Sequence, residues 1–298
     1  MKLSLKSLFP ASDLGWNRVR AKCAHSDCFN KLLIRPIPQT RPWIQVGDQW
    51  YCSPDCFVEG SRGALAALCQ NSVLEMPRNP RLSLGLALLS KGFLAEQQLR
   101  NVLGVRDEHI ETVLLERGLV NEKQIAAARA AQWGYPALGG AWHAHAVVAD
   151  LPKTLLSVSE TVPLHFSASE KRLVLGFVRR VDHALLQAVE KITDCRPEPC
   201  FITSAELRGQ SSYVRTAAEY RETVVQESLN VEQMAKTLGR ASLDAHAQEV
   251  RFARCKSYLW ARVIGKRTTI DTIFSVRSQT LSMWSETLPD AESQAVRG

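Results

Sequence analysis

Apolar residues recur at helical spacing in some stretches of the chain and at strand spacing in others. The most regular pattern runs from Leu84 to Leu103 and again from Ile110 to Ala130, with a period of 26 positions. The first copy reads Leu88-Leu89-Ser90-Lys91-Gly92-Phe93-Leu94-Ala95-Glu96-Gln97-Gln98-Leu99, and the second reads Leu114-Leu115-Glu116-Arg117-Gly118-Leu119-Val120-Asn121-Glu122-Lys123-Gln124-Ile125. Each copy predicts a helix that ends at a glycine, an apolar pair that drops into the core, and a second helix. That second helix starts at Ala95 or Asn121, with Glu96 or Glu122 in its first turn. Two stacked helical hairpins follow.

After Trp133-Gly134-Tyr135-Pro136 and the loop at Gly139-Gly140, the pattern alternates between the two periods. Thr161 to Phe166, Arg172 to Val178 and Pro199 to Thr203 read as strands. Asp182 to Ile192 reads as a helix, and Ser204 as the cap of another. This predicts a compact α/β unit. From Ser212 to Gly239 the spacing predicts helix, with Val214, Ala217, Ala218, Val224, Val225, Leu229, Val231, Met234 and Leu238 on an interrupted apolar face. Glu249 to Arg254, Tyr258 to Ile264 and Thr269 to Phe274 then read as an antiparallel meander, with Lys256, Arg262, Lys266 and Arg267 on a solvated face. Near the amino terminus, Trp43 to Val46, the turn Gly47-Asp48 and Gln49 to Tyr51 predict a small hairpin. Beyond Arg277 the tail, rich in Ser, Glu, Ala and Gln, reads as disordered.

The fold class expected is therefore a multidomain α+β chain: a zinc-stapled β-hairpin unit, two helical hairpins followed by a compact α/β unit, and a C-terminal helix with antiparallel strands. The boundaries expected are 1–75 for a zinc-binding unit with four cysteine ligands, 80–210 for the hairpins and α/β unit, 211–277 for a small α+β domain and 278–298 for the tail.

Composition narrows the function. Of 298 residues, 45% are hydrophobic and 22% charged, the balance of a globular protein, and no stretch reaches 18 consecutive apolar residues. A membrane-spanning helix is excluded. Met1 to Pro10 has no long apolar run leading to a cleavage site, so a cytoplasmic location is expected. The net charge of +7 is spread along the chain without a basic run, so no nucleic-acid partner is expected.

The eight cysteines change the picture more. Cys23-Ala24-His25-Ser26-Asp27-Cys28 is followed by Cys52-Ser53-Pro54-Asp55-Cys56, two close pairs flanking the hairpin. Four thiolates suit tetrahedral zinc, and a full set of four leaves no open position for catalysis, so the zinc expected is structural. Ser53 reads as a helix cap and Pro54 as the first helical residue, which places Cys56 in a first helical turn where the dipole favours a thiolate. His25 could replace one cysteine, and the four cysteines also fit a simpler role as small buried hydrophobes. Cys69, Cys195, Cys200 and Cys255 lack paired spacing and read as core. His143 and His145 lack a third ligand.

In order and spacing, residues 80 to 210 resemble the amino-terminal domain of type II secretion and type IV pilus assembly ATPases, the MshEN module. The resemblance rests on Leu84-Gly85 with Gly92-Phe93-Leu94, Gly118-Leu119-Val120 and Gln132-Trp133-Gly134-Tyr135-Pro136. It continues through Val162-Pro163-Leu164, Arg172-Leu173-Val174-Leu175-Gly176 and Ser204-Ala205-Glu206-Leu207. The carboxy-terminal helix and strands are similar to the second amino-terminal domain of the same ATPases, without its Ser-Asp-Ile-His signature.

What the resemblance implies is a docking or adaptor module with a protein partner, a secretion or pilus platform component being the candidate. The alternative it implies is a sensor of a cyclic di-GMP type of nucleotide, since in relatives that bind it each repeat begins with Arg-Leu-Gly. Here the first copy has Ser83-Leu84-Gly85, with Arg81 two residues away, and the second has His109-Ile110-Glu111. Loss of the guanidinium and gain of a carboxylate both oppose an anion. No Gly-x-x-x-x-Gly-Lys-Ser/Thr occurs: Gly265-Lys266 is followed by Arg267 and preceded at the required spacing by Trp260. No hydrolase or dinucleotide motif occurs either, so a non-enzymatic role is expected.

Overall fold

The computed structural model describes residues 22–28, 43–70, 82–102, 107–138 and 147–276. Arg81, Gly139, Gly140, His143, His145 and the 278–298 tail lie outside them.

The repeat folds as two helical hairpins. Helices α2 (Leu84–Ser90) and α3 (Glu96–Arg100) form the first, and α4 (Asp107–Glu116) and α5 (Glu122–Trp133) the second. Gly92 at φ +72° and Gly118 at φ +64° close the first helix of each, a backbone conformation in which a Cβ is strained. The closing bonds match between copies: Gly92 N–H donates to Leu89 O and Phe93 N–H to Leu88 O, while Gly118 N–H donates to Leu115 O and Leu119 N–H to Leu114 O. Leu88, Leu94 and Leu99 from one copy and Leu114, Val120 and Ile125 from the other meet in one core.

The α/β unit follows with β3 (Val147–Val148), α6 (Lys153–Val158), β4 (Thr161–Ser167), β5 (Arg172–Phe177), α7 (His183–Thr193), β6 (Arg196–Phe201), α8 (Ser204–Ser211) and β7 (Val214–Arg215). Strand β5 pairs antiparallel with β4 and parallel with β6, and β3 pairs with β7 in a separate two-stranded sheet. Strand β6 starts earlier than expected and carries Pro197 and Pro199, which an edge strand tolerates because its outward side needs no donor. Thr203, rather than Ser204, caps α8: its Oγ1 accepts from Glu206 N–H at 3.1 Å.

Residues 212–239 differ from expectation. Only α9 (Val231–Ala245) is helical there, while Val214 lies on β7 and Val224 and Val225 on β8 (Tyr220–Val225). The β-branched run Thr223-Val224-Val225 and pairing with a neighbouring strand override the helical spacing.

Strands β9 (Ala247–Cys255), β10 (Tyr258–Gly265) and β11 (Thr269–Ser275) form the expected antiparallel meander. The amino-terminal hairpin, β1 (Ile44–Val46) and β2 (Gln49–Tyr51), joins the same sheet, in the order β2-β1-β9-β10-β11-β8. Sequence segments expected as separate units at 1–75 and 211–277 thus share one sheet.

Both faces of that sheet are covered, and side chains alternate between them with a period of two. Val250, Phe252, Leu259, Ala261, Val263, Ile270 and Phe274 pack with α9 and α1 (Pro54–Gln70). Ala253, Cys255, Trp260 and Ile273 point the other way and join Leu185, Val189 and Ile192 of α7.

Candidate metal centre

Cys23 and Cys28 sit on a short loop docked to the hairpin: Ala24 N–H donates to Trp50 O at 2.8 Å, and Cys28 N–H reaches His25 O at 3.3 Å. Cys52 directly follows β2, whose Tyr51 is buried. Ser53 then caps α1, its Oγ accepting from Cys56 N–H at 3.2 Å, so that Cys56 lies in the first helical turn as expected. Proline at the first helical position removes a donor that has no intrahelical acceptor there.

This geometry brings the four Sγ atoms within 4.8 Å of one another. The Cys28–Cys52 separation is 3.5 Å and the Cys52–Cys56 separation 3.7 Å. Sulfurs at the corners of a tetrahedron about a zinc ion, with Zn–S of about 2.3 Å, stand about 3.8 Å apart. The residues therefore fit a four-coordinate thiophilic ion, and the cluster could bind one. His25 lies outside the cluster, although its Nδ1 is buried without a hydrogen-bond partner. No disulfide joins any of the eight cysteines.

As thiols, Cys52 and Cys56 resist ionisation. Burial, then hydrogen bonding with Cys28 and Cys56, pushes the Cys52 thiol up to about 12. Burial also raises Cys56, against a lowering contribution from Ser53. A divalent cation reverses that balance, because its charge stabilises the thiolates that burial opposes.

The remaining cysteines are placed as core. Cys195, Cys200 and Cys255 are buried and Cys69 is half-buried. Burial, then Glu206, pushes Cys200 up to about 12, the environment of an unreactive thiol.

Ser83, Gly85 and Glu111, at the starts of the two repeats, are engaged within the fold. Ser83 caps α2, with Oγ 3.4 Å from Leu86 N. A Cβ at Gly85 would stand 2.6 Å from Leu99 Cδ1, so the glycine permits close helix contact. Glu111 pairs with Arg129 at 2.5 Å, and Arg129 also donates to Arg179 O. Gly265-Lys266 lies in the β10–β11 turn, where Gly265 N–H donates to Thr268 O.

Sequence reasoning missed the buried ion pair of the sheet. Arg262, expected on a solvated face, is 7% exposed and donates from Nε and Nη2 to Asp271, which is fully buried. Tyr220 OH donates to the same carboxylate at 2.9 Å, and Arg262 Nη2 donates to Asp150 O, which ties the segment before α6 to the sheet. The guanidinium lies 5.2 Å from the Trp260 ring centroid. The signal for the pairing, though not for the burial, was present: in the antiparallel meander Arg262 falls opposite Asp271. Lys256 is also engaged, 2.7 Å from Asp182 at the start of α7.

No helix among the described residues is long and apolar enough to cross a membrane. No family model matches the chain, and no curated protein matches it. Solved structures do. A structure of MshE with cdg is 22% identical, with a TM-score of 0.36, over 45% of this chain and 99% of that one. The N-terminal domain of XpsE is 20% identical, with a TM-score of 0.35, over 46% of this chain and 96% of that one.

Proposed function

We propose that the chain is a non-enzymatic interaction module of the cytoplasm. Its helical hairpins dock a protein partner, and a structural zinc ion on Cys23, Cys28, Cys52 and Cys56 holds its amino-terminal unit. The observation that carries the docking role is the pair of hairpins built from the 26-residue repeat, closed by the same glycines and backbone bonds and followed by an α/β unit. That is the order implied by the resemblance to the docking domain of secretion and pilus ATPases. The separation of the four sulfurs supports the zinc. On α2 and just before it, Leu86 at 48% and Leu82 at 37% exposure offer apolar surface for a partner.

The test is affinity purification from native cells with the full chain as bait and a Leu86→Glu variant as control. Recovery of a secretion or pilus platform component, lost in the variant, is the expected outcome. Recovery of unrelated proteins alone overturns the reading. The nucleotide reading has its own assay: a thermal shift with micromolar cyclic di-GMP that disappears in Arg81→Ala would replace docking by sensing. The internal engagement of Ser83, Gly85 and Glu111 leads us to expect none.

A further inference from the structure

We infer that the metal centre is the lock of a domain built from both ends of the described chain, so that metal binding at residues 23–56 controls the folding of α9 and β9, roughly 200 residues later. This rests on the reading of the four cysteines as a metal site.

The amino-terminal hairpin is too small to hold itself. Its strands have three residues each, and an isolated two-stranded hairpin is marginal at best. Its pairing with the rest of the sheet is a single parallel register, Gln45 opposite Glu249. Its other ties are Ile44 and Tyr51 in the shared core, the sulfur cluster and the packing of α1. The four sulfurs join three pieces, the 23–28 loop, the end of β2 and the first turn of α1. Cys23 and Cys28 are themselves part of the core that contains Ile44, Phe57, Met234, Leu238 and Leu259.

Helix α1 passes the constraint on. Gly239 of α9 has Val58 of α1 against it so closely that a Cβ there would stand 2.5 Å from Val58 Cγ2. At Gly60 a Cβ would stand 2.1 Å from the Tyr51 ring. Phe57 and Leu65 are fully buried between the helices and the sheet. A metal that fixes the start of α1 therefore fixes the cover of α9 and the neighbour of β9. Without it, β9 becomes an edge and Met234 and Leu238 lose part of their packing. The helical hairpins have a core of their own and are not held by this path, whereas β5 and α7 meet Ala253 and Cys255 of β9 in a shared core.

The coupling is reciprocal, so it can be read from either end. The experiment takes the full chain loaded with one equivalent of zinc, verified by native mass spectrometry, and strips it with a chelator. Amide hydrogen exchange is compared before, after and on re-addition of zinc. Loss of protection of about tenfold or more in β1, α1, α9 and β9, restored by zinc, is expected, with α2 and α4 changing less than about twofold. A second arm leaves every cysteine in place: Gly239→Val wedges α1 from α9 and should weaken zinc affinity about tenfold. A chain that binds zinc, yet shows unchanged α9 and β9 protection on stripping and unchanged affinity in Gly239→Val, overturns the lock and leaves the metal site standing. A chain that never takes up metal overturns both.

Discussion

At the scale of single residues, charge is placed where one partner decides the sign of the effect. Burial would raise the Asp182 carboxyl, but hydrogen bonds from Lys256, Ser159 and the Leu185 backbone outweigh it and hold it below the ordinary value. A carboxyl depressed in the folded state adds stability above its unfolded pKa, and that stability is lost as the pH falls through the folded value. Lys256→Met should therefore cost about 2 kcal/mol at neutral pH. The difference from the parent should narrow as Asp182 is protonated in acid, and urea unfolding across the acid range will show whether it does. Arg262→Leu strands the Asp271 charge where no water reaches it, and a loss of about 4 kcal/mol is expected. Adding Asp271→Leu should recover much of it in the same assay. Cys52→Ser removes one ligand of four, so mass spectrometry should show zinc lost or weakly held, with less stability in the amino-terminal unit. These sites differ in how well sequence announced them. Paired spacing, the hairpin between the pairs and Ser53-Pro54 pointed to the four cysteines as one group, with His25 as an alternative to one of them, and their sulfurs do lie together. Arg262 was misplaced because a charged residue on a strand is ordinarily at the surface, and only the packing of α7 on that face puts it inside.

At the scale of elements, the local signals that worked were those with a backbone cause. Gly92 and Gly118 ended their helices because each needs a positive φ. Asn121 started α5 by accepting from Gln124 N–H, with Gln124 accepting from Asn121 N–H in return. Ala95 occupies the same position of the other hairpin, and its side chain has no acceptor. Ala95→Asn should add about 1 kcal/mol of stability, visible as a raised melting temperature, because the backbone there is already extended as a cap requires. Gly265 is the opposite case: a Cβ would stand 1.8 Å from Ala245 O, a backbone atom that cannot turn aside. Gly265→Ala should cost about 3 kcal/mol by thermal or denaturant unfolding. Where helical spacing failed, at β7 and β8, the apolar residues belonged to two strands whose partners lie elsewhere in the chain. Val214 pairs with Val147, and Tyr220 to Val225 pair with Thr269 to Phe274. No local window contains that information.

At the scale of the molecule, one sheet joins what the chain separates. Its two covered faces explain why β10 is almost wholly buried and why its apolar run, broken by Arg262, reads as continuous rather than alternating. The α/β unit depends on that sheet for part of its core, since Trp260 and Ile273 cover α7. A fragment of residues 80–210 should accordingly melt at a lower temperature than the same residues in the full chain, and should bind a hydrophobic dye that the full chain does not. The shared sheet also sets an order of events at the ribosome. Strand β1 and its cysteines emerge early, yet Glu249, opposite Gln45, is made about 200 residues later. At about 5 to 20 residues per second, the nascent hairpin waits some tens of seconds for its neighbour. During that interval the thiols stand outside their final core, open to oxidants and to stray metal. The cell's thiol-reducing capacity during synthesis thus enters the yield of folded protein.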